Sequence, residues 1–225
     1  VEEPAEPQPL ALLTGDEAPM REYAARDLIR ALRAAAADTR IKAVVLDLSR
    51  FTGGGAVSIH DVGAALDAVR AKKPVLAFGS LLADDGIALA AHASEVWLDP
   101  LGAAVPTGPG GTHLYYGQLL DRLGVTAHVF RVGTYKSAVE PFIGNAMSPA
   151  ARENYQALEG ALWQTWKDDL ARARPRADLA LATGDPARWL RESQGDGAKA
   201  ALAAGLVDRI GDRARFGDRV AQLVG

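Results

Sequence analysis

The sequence predicts an α/β protein with a mostly parallel sheet flanked by helices. Short β-rich runs recur at residues 41–48, 75–78 and 96–98, and amphipathic stretches of helical period lie between them. Breaks rich in glycine, such as Gly53-Gly54-Gly55, separate strand from helix. Strands joined by helical crossovers are the pattern of a parallel sheet, because parallel neighbours cannot be linked by a tight turn.

The opening VEEPAEPQPL holds three prolines and three glutamates and reads as an extended surface segment over 1–19. Tyr23, Leu28, Ile29 and Leu32 recur near helical spacing within residues 20–37 and predict an amphipathic helix ended near Asp38. IKAVVLDL, residues 41–48, suits a strand covered on both faces. A helix over 58–71 puts Ile59, Val62, Leu66 and Val69 on one face, and KKPVLAFGS brings the next strand at 75–78. Residues 86–93 read as helix, 96–98 as strand and GAAVPTGPGG as loop. A helix over 114–123 and a strand over 128–132 complete an α/β core that carries residues 20–147.

After that the pattern turns helical, over 148–225. Ser148-Pro149 supplies an N-cap and a first-turn proline. Tyr155, Leu158, Leu162, Trp166 and Leu170 follow at spacings of three and four, predicting the longest helix, with a largely buried stripe, ended before Arg174-Pro175. A shorter helical tail over 189–205, the segment LVDRIG and a final helix over 216–224 close the chain. The whole reads as a single domain, residues 1–225.

Composition excludes several classes of function. With 25 basic and 28 acidic residues and no basic stripe, nucleic acid is not an expected partner. The absence of cysteine removes disulfides, thiolate catalysis and Cys-ligated zinc, without fixing a compartment. His60, His92, His113 and His128 lie on different elements without HExxH spacing, so no metal site is expected. No P-loop or GxGxxG is present, and TGPGG at 107–111 lacks the Lys-Ser/Thr of a phosphate cradle, so no cofactor is expected. A first residue Val1 without methionine reads as a truncated or processed start.

The segment FRVGTYKSAVEPF places Lys136 after a predicted strand and a glycine turn, among mostly uncharged neighbours. A lysine works as a base at neutral pH only if burial lowers its pKa by roughly three units from ~10.4, at a cost of about 4 kcal/mol. Composition and spacing leave two readings of Lys136 open, a catalytic base or a snorkelling surface lysine. Tyr135 and Ser137 likewise read as supporting hydroxyls or as groups satisfying a turn. Glu140-Pro141 reads as the loop's exit, with the carboxylate able to pair with a partner's basic group.

Gly133 through Phe142, followed by Met147-Ser148-Pro149-Ala150-Ala151-Arg152-Glu153, resembles the lysine motif of the long, two-domain bacterial signal peptide peptidase A family. The likeness extends through Tyr115-Tyr116, Leu119-Leu120-Asp121 and His128-Val129-Phe130-Arg131-Val132, through DLSRFTGGG and AHASEVWLDPLG, and to Gly205-Leu206-Val207-Asp208. The resemblance implies a Clp-protease/crotonase-like fold and places the chain as the family's amino-terminal domain. It implies that Lys136 is the general base of a Ser/Lys dyad whose serine lies in a carboxyl-terminal domain; Tyr135, Ser137 and Glu140 stand beside it as candidate supporting residues, with the turn and loop-exit readings still open. The implied substrates are cleaved signal peptides. The implied assembly is a homo-oligomer anchored in the bacterial cytoplasmic membrane with its domains on the periplasmic side.

The chain departs from the family where the active half carries serine followed by glycines. Leu82-Ala83-Asp84-Asp85-Gly86 stands there, with Asp84 in the nucleophile's place, so the isolated chain is expected to be inactive. Gly53-Gly54-Gly55 fall where related folds set oxyanion-hole glycines and are read as a structural turn. Asp84-Asp85 and Asp168-Asp169 read as solvated faces. Two other classes stay open at this stage: a non-catalytic scaffold that assembles the oligomer, and a crotonase-type acyl-CoA enzyme.

Overall fold

The computed structural model describes residues 22–225; the proposed extended opening and the first residues of the first predicted helix lie outside them. The described residues form α1 (Ala25–Ala37), β1 (Val44–Asp47), α2 (Ala56–Arg70), β2 (Val75–Leu82), α3 (Asp84–Ala91) and β3 (Glu95–Ala104). There follow α4 (Gly117–Arg122), α5 (Glu140–Ile143), α6 (Pro149–Ala173), α7 (Leu179–Gly184), α8 (Pro186–Glu192), α9 (Gly197–Ala203), β4 (Arg209–Ile210) and α10 (Arg213–Val224). They divide into two compact units, one comprising Asp169–Gly225 with the chain up to Pro106, the other Thr107–Asp168.

The first unit is an α/β layer structure. Its four strands pair in parallel in the order β1-β2-β3-β4. Val44 stands opposite Val75, Leu76 opposite Glu95 and Trp97 opposite Arg209. β2 is buried without a break from Val75 to Gly79, as a central parallel strand covered on both faces must be. β1 was expected to be covered in the same way and is not. Among the described residues it is the edge of the sheet, its exposure alternates, and Val45 is 44% exposed.

The predicted face of α2 is buried as read: Ile59, Val62, Leu66 and Val69. Lys73 caps the end of α1, its ammonium donating to the carbonyls of Ala35 at 2.6 Å and Asp38 at 2.5 Å. β2 and β3 outrun their predicted lengths, with a register slip between Gly79 and Leu81. Gly102 lies beside that slip, and a Cβ there would come within 2.2 Å of the Ser80 carbonyl oxygen. Only glycine lets the two backbones approach this closely.

The helical tail predicted over 189–205 is the end of α8 and then α9, and α7 precedes them as a helix that was not predicted; aspartates restart the chain at each. The carboxylates of Asp178, Asp185 and Asp196 accept from the amides of Leu181, Arg188 and Lys199, and Asp212 does the same for α10 through Arg215. Between them Trp189 is fully buried and donates its indole N–H to the Ala200 carbonyl at 2.9 Å.

The second unit holds α4, α5 and most of α6. The strand expected at 128–132 does not form: the segment carries no ladder, and Phe130 and Val132 are 98% and 86% exposed. A β-prone sequence becomes a strand only beside a neighbour that takes its backbone hydrogen bonds, and the described residues supply none. The α6 stripe is also less covered than expected, with Leu158 at 55% and Leu162 at 45% exposure, and Tyr155 and Trp166 half-buried. Among the described residues nothing buries that part of the helix. Its aromatics pair locally, Tyr155 with His113 at 4.8 Å and Trp163 with Trp166 at 4.6 Å.

Candidate active site

Lys136 lies in the second unit, in a turn between the extended segment ending at Val132 and α5. Gly133, at φ 107°, opens the turn, and the Lys136 amide donates back to its carbonyl at 3.4 Å. The lysine side chain is exposed and runs beside Gly133, where a Cβ would lie 3.8–4.0 Å from its methylenes. Its ammonium has no hydrogen-bond or ion-pair partner among the described residues. The burial that a lysine base requires is therefore not provided by the described residues.

The carboxylate nearest in sequence is engaged elsewhere. Glu140 is the one buried charged or polar residue among those described, at 5% exposure. Its oxygens accept from the Ser148 hydroxyl at 2.7 Å, the Ser148 amide at 3.0 Å and Nη1 of Arg131 at 3.3 Å. The Ser148 bonds, joined by Arg131, outweigh burial and hold the Glu140 carboxyl below the ordinary carboxylate range. Ser148 caps α6 in the same arrangement, its hydroxyl accepting from the Ala151 amide at 3.2 Å. Arg131 Nη1 also donates to the Lys136 carbonyl at 3.0 Å.

The other predicted residues fall around this node. Tyr135 is 54% exposed and its hydroxyl donates to Glu153 Oε2 at 3.2 Å. Ser137 is half-buried, and its carbonyl takes the Glu140 amide at 2.9 Å, closing the turn into α5. The loop's exit docks on the start of α4: the amides of Tyr116, Gly117 and Gln118 donate to Pro141, Gly144 and the Asn145 side chain at 2.6, 3.1 and 2.7 Å. Lys136, Tyr135, Ser137 and Glu140 thus share one framework, with Glu140 in its interior. Ser148 was legible only as a helix cap, and Arg131 only as one residue of a β-prone run. No periodic signal marks a contact across nine residues.

The glycine loop belongs to the first unit. Gly53 and Gly55 have φ of 133° and 77°, and the amides of Gly54 and Gly55 converge on one oxygen, Asp85 Oδ2, at 2.9 and 3.1 Å. Two backbone N–H groups aimed at one anionic oxygen are the donor set of an oxyanion hole. Here the chain's own carboxylate occupies it. Asp84 and Asp85 are the first two residues of α3.

The histidines are dispersed. His60 approaches Asp169 and His92 approaches Asp67, each at 3.0 Å. Among the described residues no group of three His, Cys, Asp or Glu side chains is placed to hold a metal ion, and no helix is long and apolar enough to cross a membrane.

The model of peptidase family S49 matches residues 67–225, a span that includes the whole lysine framework. This chain belongs to peptidase family S49. It is 41% identical over 198 residues to Protease 4 of Salmonella typhi, covering 87% of this chain, and 33% identical over 225 residues to Protease 4 of Haemophilus influenzae, covering 96%. The S49 chain spans about a third of the length of these curated relatives, 32% and 35%. Among solved structures, an enoyl-CoA hydratase/carnithine racemase from Magnetospirillum magneticum matches at 18% identity, with 89% of this chain and 62% of that one covered and a TM-score of 0.47. The 1510-N membrane-bound stomatin-specific protease, a K138A mutant in complex with a substrate peptide, matches at 16% identity with 85% and 71% covered and a TM-score of 0.38. Likenesses at this level choose neither a substrate nor a chemistry for the S49 chain.

Proposed function

We propose that this chain is the amino-terminal domain of a signal peptide peptidase, in which Lys136 is the general base for a serine nucleophile carried by the carboxyl-terminal domain. The observation that carries the reading is an amine with no carboxylate partner among the described residues, presented on a loop anchored through a buried glutamate, within the part of the chain that matches the S49 model. The exposure of Lys136 belongs to the same reading: the serine-bearing domain covers the amine in the assembled protein and supplies the burial that favours its uncharged form.

The chemistry then follows two proton transfers. The uncharged Lys136 amine takes the proton of the serine hydroxyl as its oxygen bonds to the scissile carbonyl carbon, giving a tetrahedral oxyanion and an ammonium. The ammonium returns that proton to the departing amine as the C–N bond breaks, leaving an acyl-enzyme. Water attacks the ester with Lys136 again as base, and the serine is restored. The substrates are cleaved, apolar signal peptides; the protein is a homo-oligomer anchored in the bacterial cytoplasmic membrane with its domains on the periplasmic side. Its fold is of the Clp-protease/crotonase kind.

Full-length Lys136→Ala tests the reading. Peptide hydrolysis should fall by at least about 10³-fold with the circular dichroism spectrum and oligomeric state unchanged. Activity within tenfold of the parent would remove Lys136 from the mechanism and favour the scaffold reading, which the Asp85-occupied glycine loop also suits.

A further inference from the structure

Residues 132–138 are exposed apart from the half-buried Ser137, carry no ladder and make among themselves one long turn contact of 3.4 Å. Such a segment has little of its own to select one conformation. A base in a proton transfer must nevertheless leave the backbone in a fixed direction, since a displacement of about 1 Å costs on the order of 10²-fold in rate. Something outside the turn has to fix it.

We propose that Arg131 is the positioning residue of the Lys136 loop: from one terminal nitrogen it holds both the Lys136 carbonyl and the buried carboxylate of Glu140. The proposal rests on the reading of Lys136 as the base. Three further observations support it. Glu140 is itself buried and bonded twice to Ser148 at the start of α6, so a contact to it ties the loop to that helix. The two acceptors lie 3.0 and 3.3 Å from the same Nη1, so its two hydrogens go one to each and link the main chain of the lysine to the carboxylate directly. The preceding residue is tied as well, through Tyr135 to Glu153 on α6, whereas the Lys136 ammonium has no hydrogen-bond or ion-pair partner among the described residues.

The donor count makes the proposal testable. One nitrogen with two hydrogens is all the geometry uses, and an ammonium supplies three. In the full-length protein, Arg131→Lys should retain kcat within about threefold, whereas Arg131→Met should lower kcat by about 10- to 100-fold with KM changed less than about threefold. Amide exchange over residues 133–140 should quicken in Arg131→Met and not in Arg131→Lys.

In the parent protein the Arg131 Nη protons should be resolved and slow to exchange by NMR, a measurement that needs no variant to fold. Parental kcat in Arg131→Met, equal losses in the Met and Lys variants, or fast, averaged Nη protons would each overturn the proposal. The base reading fails separately. If Lys136→Ala stays active while Arg131→Met still quickens loop exchange, Arg131 orders the loop and Lys136 is not the base. If Lys136→Ala is inactive and Arg131→Met leaves exchange unchanged, the base stands and the positioning role falls.

Discussion

The ring of Phe216 lies 5.2 Å from that of Phe78, centroid to centroid, and 5.9 Å from that of Trp97. Phe216 is the buried residue of α10 and packs this last helix against β2 and β3 together with the partly buried Val220, while Arg213 and Arg219 bond Asp47 and Glu95. Truncation to alanine removes most of that area and leaves a cavity. Phe216→Ala should therefore lower stability by about 3–4 kcal/mol, read as an earlier urea midpoint with the slope unchanged. Phe216→Leu, closer in volume, should cost less than about 1.5 kcal/mol.

Trp189 is 1% exposed and bonds a carbonyl that is itself buried, that of Ala200. Trp189→Phe keeps an aromatic ring and removes the indole donor, while the Ala204 amide still donates to the same carbonyl at 3.0 Å, so the loss should be about 0.5–1.5 kcal/mol. The same urea titration reads it. A change near zero would mean that the indole N–H has no part in holding α8 against α9.

Legibility in the sequence followed the range of the interaction. The buried face of α2 was readable because Ile59, Val62, Leu66 and Val69 repeat at the period of the helix, and β2 because both sides of a central parallel strand must be apolar. The edge position of β1 was not, since a run of apolar residues says nothing about how many neighbours a strand has. The aspartate caps that divide the carboxyl-terminal helices lie in plain view at 178, 185 and 196, but short Asp-led turns carry too little periodicity to separate from one frayed helix. The strand expected at 128–132 and the buried stripe on α6 share one cause. Both patterns announce a partner surface, and a pattern cannot say whether the partner is in the same chain. At the site, the motif located Lys136, whereas the link from Arg131 to Glu140 depends on a turn whose geometry has no signature in the sequence.

The occupied glycine loop yields a separate test. Asp85→Ala removes the oxygen that Gly54 and Gly55 share, and should move both amide proton resonances upfield and cost about 1 kcal/mol. Asp85→Asn keeps an acceptor oxygen and should move them less. Because the proposed chemistry does not use this loop, full-length Asp85→Ala should hydrolyse peptides within about twofold of the parent. A change beyond tenfold would bring the loop into the mechanism.

The pH dependence of the lysine framework has a definite sign. Glu140 is held below the ordinary carboxylate value first by the Ser148 hydroxyl and amide and then by Arg131, against the opposing effect of burial. A carboxylate with a lowered folded-state pKa contributes its full stabilisation above the unfolded value, ~4.3, and loses it as the pH falls through the folded value. Protection of the Ser148 amide against exchange, after correction for intrinsic rates, should thus be flat from pH 7 to pH 5 and fall only in stronger acid. Glu140→Gln replaces an acceptor oxygen with an amide nitrogen that faces donors, so its protection should already be reduced at pH 7 and should lack the acid transition. A loss in the parent between pH 7 and pH 5 would instead point to a group of histidine range and would remove the Glu140 carboxylate as the anchor of the loop.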